Sequence, residues 1–304
     1  MTMIRKFLSL AAFLSLAALA LGFTGRFLPL GDSLAVFRLP NIVVSSVLIF
    51  VLPKGRVFIG ATALIIFGAA SMAEYYLPQE MGAQKIGPQE TLRLYQKNLL
   101  LRRKNRVHLT ADILEANPDV ITLQEIKTEN SVMQKTKFIT KLSVNYPHQL
   151  TCPFPRIGGV AVLSRRPILE SNCFGRDGLA AIKVQTQKGP LWVISIHSYW
   201  PYPYNQAAQV KRAADNIKTL EGPKIIAGDF NMVPWSRSVK SIERASDTHI
   251  ARPIIHSFDL PFIGLPIPID HVLLPKGATA KTERRGKLGS DHFGVLVNFT
   301  LPAP

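Results

Sequence analysis

Three long apolar stretches follow one another in the first quarter of the chain, and they restrict its fold more than any other feature. They run over Phe7–Phe23, roughly Leu34–Pro53, and from Val57 to about Tyr76. Each approaches the roughly 20 residues that a helix needs to cross the hydrocarbon core of a bilayer. The middle stretch is the weakest because Arg38 and Pro40 interrupt its start. The pattern predicts a membrane domain at residues 1–78 with about three transmembrane helices.

Two other interpretations apply to single stretches. Arg5 and Lys6, followed by an apolar run and then Ala18-Leu19-Ala20, are typical of a cleaved signal peptide. An apolar run can also be the core helix of a soluble domain. Neither interpretation accounts for three stretches in succession before any polar domain begins, although cleavage of the first stretch stays open.

The positions of Lys and Arg predict an orientation. Arg5 and Lys6 precede the first stretch, and Lys54 and Arg56 separate the second from the third. Cytoplasmic loops are enriched in such residues, so three crossings of the cytoplasmic (inner) membrane would place the remaining chain outside the cytoplasm. Losing the middle crossing would reverse that location. The two cysteines, at 152 and 173, would form a disulfide only in an oxidising compartment, and their pairing stays open.

Beyond the apolar quarter the chain is strongly basic. The net charge is +16, and the residues up to Glu80 hold only six Lys/Arg and three Asp/Glu. A basic domain favours polyanionic partners such as nucleic acid, anionic lipid or phosphorylated substrates. A solvated basic surface without any partner is equally compatible with this charge.

Pro and Gly residues mark a linker at 79–90, and a catalytic domain is predicted at 91–304. Apolar patterning predicts two main helices in this domain, Val107–Asn117 and Asn205–Leu220. The predicted strands are Thr91–Leu101, Asp119–Gln124, Gly158–Ser164, Leu179–Thr186, Leu191–His197, Lys224–Gly228, Ile267–Leu274 and His292–Phe299. Runs of strands with occasional helices favour an α+β layered sandwich over a strictly alternating α/β sheet.

Polar side chains stand where several of these strands end or begin. Glu125 follows one apolar strand, Asp229 ends another, Asp270 lies in an apolar segment, and Asp291-His292 begins the last strand. Each of them alone is typical of a turn or a helix cap. Strand ends at one edge of a sheet converge, however, and a divalent cation offsets the repulsion among gathered carboxylates. Oxygen ligands of this kind suit Mg²⁺ or Mn²⁺ better than zinc.

The strings NPDVITLQE, IIAGDFN, IDHVLL and GSDHFGVLV resemble, in this order, the motifs of the endonuclease/exonuclease/phosphatase (DNase-like) superfamily. The resemblance spans about Thr91 to Phe299. It implies a four-layer α/β/β/α sandwich with its active site at one end of two packed sheets, and a divalent-metal-dependent phosphoric ester hydrolase. The superfamily includes DNase-like nucleases, apurinic endonucleases, inositol polyphosphate 5-phosphatases and neutral sphingomyelinases, and the arrangement here resembles its bacterial three-span membrane members.

The resemblance also implies a metal site. Glu125 is expected to be the principal ligand of the cation. Asn98 resembles the first-strand asparagine that assists the metal, with Asn105 as a nearby competitor for this role. Asp291 is expected to support the site.

For catalysis, the resemblance implies that Asp229 and Asn231 position the attacking water and bind a phosphate oxygen. His292, held by Asp270, is expected to act as a general base or to contact the phosphate. His197 is expected to contact the phosphate or to assist the leaving group. Many family members carry an arginine shortly before the aspartate at position 270, and this chain does not.

Other chemistries find little support in the motifs. No Gly-x-Ser-x-Gly elbow surrounds Ser195 or Ser290, and no His-x-x-x-His pair suggests zinc. A membrane tether favours a phosphorylated lipid or lipid pyrophosphate, and the aromatic run HSYWPYPY after the strand ending at His197 is either a lip for lipid chains or a Pro-stiffened loop. A membrane-tethered nuclease is the second candidate, and a catalytically silent binding module is the third.

Overall fold

The computed structural model describes residues 3–79, 90–101, 106–127, 137–155 and 157–302. The predicted linker therefore lies almost wholly outside the described residues, and so does Asn105. The apolar quarter forms four helices: α1 (Met3–Leu21), α2 (Pro29–Ala35), α3 (Arg38–Leu48), which ends in a 3₁₀ turn, and α4 (Arg56–Tyr76).

Two of these helices, α1 and α4, are long and apolar enough to cross a membrane, at about 30 Å each for a rise of 1.5 Å per residue. The predicted middle span is broken instead. Its residues form α2 and a helical segment Arg38–Val51, which are bent by 70° relative to each other and amount to a third span only if they are counted together. By length and composition, the described part of the chain has two or three candidate spans.

The break coincides with Arg38, whose side chain is buried. Its Nη2 donates to the carbonyl of Gly22 at 3.0 Å and its Nη1 to Ser71 Oγ at 3.2 Å. The guanidinium also lies 4.0 Å from the centre of the Phe23 ring. These contacts tie α3 to α1 and α4 where the chain turns from α2, while Arg38 Nε has no hydrogen-bond partner among the described residues.

Beyond these helices, the strands that the structure describes form two six-stranded sheets and a short hairpin. The first sheet has the order β13-β14-β1-β2-β4-β3, with β1 Thr91–Asn98, β2 Val120–Ile126, β3 His148–Cys152, β4 Gly159–Ser164, β13 Thr279–Arg285 and β14 Gly294–Thr300. The second has the order β5-β6-β7-β8-β12-β9, with β5 Ile168–Phe174, β6 Leu179–Thr186, β7 Gly189–His197, β8 Lys224–Asp229, β9 Thr248–Ile250 and β12 Asp270–Pro275. The hairpin pairs β10 (Phe258–Asp259) with β11 (Pro266–Ile267).

Alternating side chains build the layers. One set of apolar residues, including Leu94, Val162 and Val193, fills the space between the two sheets. The outer face of the first sheet packs on α5 (Val107–Ala116) and α6 (Lys137–Leu142), and that of the second packs on α7 (Gln206–Lys218) and α8 (Arg237–Ser246). The result is a sheet-rich, mixed α/β fold with two packed sheets, as predicted.

A disulfide joins the two sheets at their edges. Cys152 ends β3 in the first sheet, Cys173 lies in β5 of the second, and the two sulfur atoms are bonded. The pairing of these two cysteines, which the sequence leaves open, is thus a disulfide in the structure.

The N-terminal helices pack on α8 and share a core cluster with the second sheet. Asp32 of α2 is buried, and its carboxylate accepts hydrogen bonds from the backbone N–H groups of Arg237 (2.6 Å) and Ser238 (2.9 Å). It therefore caps the first turn of α8 from 205 residues away in the chain. Trp235 Nε1 donates to the carbonyl of Ala35 at 2.8 Å, so side-chain and backbone contacts hold the same junction.

Candidate active site

Strand direction gathers polar residues at one edge of the two sheets. β1 is parallel to β2 and β7 is parallel to β8, so the C-terminal ends within each pair lie side by side. Asn98 ends β1, His197 ends β7, and Asp229 ends β8 as the register partner of His197. β12 is antiparallel to β8, which places its first residue, Asp270, opposite Asp229.

A glycine permits the close approach of β7 and β8 next to this edge. A Cβ atom on Gly228 would lie 1.9 Å from the carbonyl oxygen of Ile196, so no other residue fits without moving the backbone. The glycine in the motif GDFN is thus explained by strand packing. It leaves His197 Nε2 3.6 Å from Asp229 Oδ2.

Glu125 leaves the regular alternation of β2. Its φ is +55°, and the pairing of β2 with β4 shifts register between Leu123 and Ile126. A bulge of this kind redirects a side chain, as is common next to active sites. The Glu125 carboxylate accepts hydrogen bonds from Asn98 Nδ2 at 3.1 Å and from the N–H of Leu101 at 2.8 Å.

The Asn98 amide stands between two carboxylates. Its Nδ2 donates to Glu125 Oε1 and, at 2.9 Å, to Asp229 Oδ2, while its Oδ1 accepts from the N–H of Leu100 at 3.0 Å. Two acidic groups from different sheets thus converge on one neutral amide. This set of carboxylate and amide oxygens fits a hard divalent cation such as Mg²⁺, which would offset their mutual repulsion.

Asp291 lies at the rim of the same edge. Its side chain is 48% exposed, and its Oδ1 is 4.0 Å from His292 Nε2. Ser290 Oγ donates to the carbonyl of Asn98 at 2.8 Å and lies 3.3 Å from Asp291 Oδ1. This serine fixes the segment that carries Asp291 beside the end of β1, although no contact joins Asp291 to Glu125 within the described ranges.

His292 and Asp270 form a buried pair. His292 Nδ1 donates to Asp270 Oδ2 at 2.8 Å, and its Nε2 lies 3.7 Å from Asp229 Oδ2. Burial lowers the pKa of His292, but the carboxylates of Asp270 and Asp229 outweigh this and raise it to about 9. Burial likewise raises the pKa of Asp270, yet the adjacent imidazolium lowers it below its ordinary value.

Asp229 is the central carboxylate of the site. Its Oδ1 accepts from the N–H of Asn231 at 2.8 Å, which leaves Oδ2 to face Asn98 and both histidines. Burial raises the pKa of Asp229 to about 7, although His292 acts in the opposite direction. The Asn231 amide donates to the carbonyl of Ser198 at 2.8 Å, so it holds the start of the aromatic loop, residues 199–204.

His197 is fully enclosed. Burial lowers its pKa to about 3, and the nearby His292 acts in the same direction, so the ring is neutral. Its Nδ1 has no hydrogen-bond partner among the residues that the structure describes. Nδ1 is enclosed, and the other ring nitrogen, Nε2, is the one that lies beside the Asp229 carboxylate.

The structure also reveals a polar network that the sequence interpretation missed. Gln96 Nε2 donates to both Gln124 Oε1 (2.9 Å) and Asp270 Oδ1 (2.8 Å), and Gln124 Nε2 donates to Ser195 Oγ at 3.0 Å. These buried groups lie beneath the site and orient the carboxylate that holds His292. The sequence signal that could have revealed this network is a glutamine at a strand position that faces the space between the two sheets.

Taken together, the edge brings all eight predicted site residues to the ends of neighbouring strands or to the turns that follow them. Ligand atoms of Asp229, Asp270 and His292 lie within 4.8 Å of one another. Asp270 is engaged with His292, which leaves the half-buried Glu125, the buried Asp229 Oδ2 and the outward nitrogen of the buried imidazole as the remaining groups at the centre of the site. An acidic oxygen set beside a protonated imidazole suits the binding of a cation together with an anionic ester.

Comparisons with known proteins agree with this geometry. Residues 95–292 match the Endonuclease/Exonuclease/phosphatase family. A UPF0294 protein of Vibrio vulnificus is 28% identical over 130 residues, which are 42% of this chain and 45% of that protein. The chain thus matches less than half of the length of this curated relative.

Several solved structures share the fold of the catalytic domain. An endonuclease/exonuclease/phosphatase family protein from Leptotrichia buccalis superposes with a TM-score of 0.55 at 16% identity, over 69% of this chain and 100% of that one. Sphingomyelinase C from Streptomyces griseocarneus gives 0.51 at 19% identity, over 69% and 99%. A mutant beta toxin from Staphylococcus aureus with bound magnesium ions gives 0.51 at 16% identity, over 68% and 99%.

The family match covers well over half of the chain and includes every residue of the candidate site. The two-sheet fold and the convergence of acidic, amide and imidazole groups at one sheet edge are in keeping with it. The chain belongs to the Endonuclease/Exonuclease/phosphatase family.

Proposed function

We propose that this protein is a membrane-anchored, divalent-metal-dependent phosphoesterase that hydrolyses a lipid-linked phosphate or pyrophosphate. The observation that carries the proposal is the convergence of Asn98, Glu125, Asp229 and His292 at one edge of the two sheets. Carboxylates, a neutral amide and a carboxylate-held imidazole are what the hydrolysis of a phosphate ester requires.

Each group has a place in that reaction. Glu125 and Asn98, supported by Asp291, would hold Mg²⁺ or Mn²⁺, which when bound neutralises charge on the phosphoryl oxygens. Asp229 Oδ2 would orient the attacking water and accept its proton. His292 would donate its Nε2–H to a phosphate oxygen, because Asp270 occupies its Nδ1.

A chain of contacts links the proposed membrane end to the active site. Ser33 Oγ, in α2, donates to the carbonyl of Tyr202 at 3.1 Å, so the aromatic loop lies against the N-terminal helices. Trp200 belongs to the same loop, and its ring centre lies 5.8 Å from the ring centre of Phe258. The ring centre of Phe258 lies in turn 4.8 Å from that of His292. Exposed aromatic side chains at this position would contact the apolar part of a substrate at the bilayer surface.

Two observations favour a location outside the cytoplasm. The last turn of α4 contacts the catalytic domain through the carbonyl of Tyr75, which accepts from the N–H of Ile254 at 2.9 Å. Arg56 begins the same helix, about 30 Å away, together with Lys54. Basic residues at that distant end are expected on the cytoplasmic side, and the disulfide between the sheets suits an oxidising compartment.

The proposal is tested with the full chain purified in detergent and supplied with Mg²⁺. It is assayed against polyprenyl pyrophosphate, phospholipid and plasmid DNA, with an E125Q/D229N variant as the inactive control. Phosphate release from a lipid without DNA nicking supports the proposal. Efficient nicking would favour a membrane-tethered nuclease, which the net charge of +16 also suits. No release from any substrate, with intact metal binding, would favour a binding module.

Orientation is tested separately with reporters fused after Pro304. An alkaline phosphatase fusion is expected to be active and a green fluorescent protein fusion exported through the same pathway to be dark. The reverse result would place the catalytic domain in the cytoplasm.

A further inference from the structure

A cavity of about 690 Å³ lies between the loop that precedes α2, the aromatic loop and the helices α7 and α8. Part of its wall is apolar and is formed by Phe27, Pro29, Val210 and Ala214. No residue of the candidate active site lines it among the residues that the structure describes. We call this cavity the basic groove, for the reason given next.

Five cationic side chains line the basic groove: Arg26, Lys211, Lys218, Arg237 and Arg244. All five are exposed to solvent. Among the residues that the structure describes, two carboxylates line the groove with them, and both are already engaged. Asp215 pairs with Lys211 at 3.1 Å and with Lys218 at 3.6 Å, while Asp32 accepts the hydrogen bonds that cap α8.

The two arginines on α8 have weaker acidic neighbours than the lysines: Arg237 has only an electrostatic interaction with the Asp32 carboxylate, whose oxygens accept hydrogen bonds from backbone N–H groups and from Ser238. Within the described ranges, no carboxylate forms a salt bridge with Arg237 or Arg244, which lie two turns apart on one helix. Guanidinium groups bind phosphate through pairs of parallel hydrogen bonds. The groove is thus complementary to a phosphate-bearing anion.

The position of the groove indicates where that anion comes from. Arg26 and Phe27 follow α1, one of the two helices that are apolar enough to cross a membrane, after only a short turn. The side chain of Phe27 is 79% exposed and is followed by the exposed Leu28. Cations and aromatic residues directly after an apolar helix are typical of the headgroup layer of a bilayer, where they meet anionic lipids.

We propose that the basic groove binds an anionic phospholipid of the leaflet that adjoins the catalytic domain. The lipid phosphate contacts Arg237 and Arg244, and the start of an acyl chain lies along Phe27 and Pro29. A free phosphate ion would leave the apolar wall unused, which favours the lipid. The proposal rests on the membrane insertion proposed above but does not depend on any phosphoesterase activity.

The test measures thermal unfolding of the full chain in neutral detergent micelles doped with phosphatidylglycerol or with phosphatidylcholine. Phosphatidylglycerol is expected to raise the unfolding midpoint by about 5 °C at a concentration of roughly 100 times Kd. Phosphatidylcholine, and inorganic phosphate at the same concentration, are expected to produce little change. An R237Q/R244Q variant is expected to lose most of the shift.

The matched control is K141Q/K281Q, which removes the same charge from exposed positions on α6 and β13 on the opposite side of the sandwich. It is expected to keep the full shift. Equal loss of the shift in both variants, or an equal shift with phosphatidylcholine or phosphate alone, overturns the proposal.

A second variant is needed because a substitution of Arg237, the first residue of α8, could disturb the folding of that helix. K218Q/R244Q leaves the Asp32 cap untouched, and mass spectrometry then counts the phosphatidylglycerol that co-purifies with each protein. The expected result is severalfold less phosphatidylglycerol per protein than in the control, and equal amounts overturn the proposal. Membrane insertion is checked in parallel by resistance to alkaline extraction, so its failure is distinguishable from failure of the groove to bind lipid.

Discussion

Asp270 Oδ2 accepts a hydrogen bond from His292 Nδ1 at 2.8 Å, and this contact turns the other ring nitrogen toward Asp229. Both side chains are almost fully buried. The carboxylate therefore decides which nitrogen of the imidazole faces the site and stabilises its protonated form.

The D270N substitution is expected to lower kcat about 100-fold or more, because an amide neither stabilises the imidazolium nor selects its orientation. KM should change far less than kcat. Steady-state kinetics measures both parameters on the substrate that the assay under Proposed function shows to be hydrolysed, and circular dichroism confirms folding. D247N, at a largely exposed aspartate, is the matched control and should retain activity. A folded D270N protein with normal kcat would remove His292 from the mechanism.

Activity should depend on a divalent cation bound near Glu125. A chelator is expected to abolish hydrolysis, and added Mg²⁺ or Mn²⁺ should restore it. In E125Q the apparent affinity for Mg²⁺, measured by calorimetry, should fall by at least roughly 10- to 100-fold. E115Q, at an exposed glutamate near Arg285, should bind the ion normally. Unchanged Mg²⁺ binding by E125Q would assign the metal to other residues.

The contact between Asp32 and α8 should stabilise the whole chain. In D32A the N–H groups of Arg237 and Ser238 lose their acceptor, which should cost about 2 kcal/mol and lower the unfolding midpoint by roughly 5 °C. E74Q removes an exposed charge at the same junction, 4.0 Å from Arg252, and should stay within about 0.5 kcal/mol of the parent. Equal midpoints for D32A and the parent would show that the cap contributes no stability.

Stability should fall in mild acid because of His271. This side chain is buried, and its Nε2–H donates to the carbonyl of Met232 at 2.8 Å. Burial lowers the pKa of His271 from 6.5 to about 4. The unfolded chain then binds the proton more readily than the folded one, so stability is fully present above pH 6.5 and is lost as the pH falls toward 4 and below.

The stability lost through protonation of this histidine reaches on the order of 3 kcal/mol once the pH is well below 4. Urea unfolding at a series of pH values between 7 and 4 measures it. H271Q keeps a donor for Met232 without the charge change and should show a shallower decline. H108Q, at an exposed histidine on α5, should follow the parent. A parallel decline in H271Q and the parent would exclude this origin.

Trp200 should affect lipid substrates selectively. The side chain is 42% exposed, and its ring contacts that of Phe258, which lies beside the site. W200A is expected to lower kcat/KM for a lipid phosphate about 10-fold, by loss of apolar contact, and to leave a small soluble phosphodiester almost unaffected. The exposed Leu169, on β5 of the second sheet, provides L169A as a control. Equal losses on both substrates would point to a purely structural role for Trp200.

Patterns in the sequence predicted most of the central strands and the two main helices because their apolar residues recur with the period of each element. The short and edge strands were missed. β3 is only partly buried, and β5 and β13 contain no buried residue, so none of the three carries a continuous apolar run. Helix α8 was missed as well, because it has few apolar residues, although Ser236 caps it by accepting a hydrogen bond from the N–H of Val239.

By itself, the sequence determined the apolar N-terminal helices, the buried strands and the polar residues at their ends, since these follow from local composition and spacing. Only the tertiary structure decided which other residues they contact. Gln96 contacts Asp270 across 174 positions of the chain, and Asp32 reaches α8 across 205. Sheet register and helix packing set such contacts, and both are settled by the burial of apolar faces that no single segment contains.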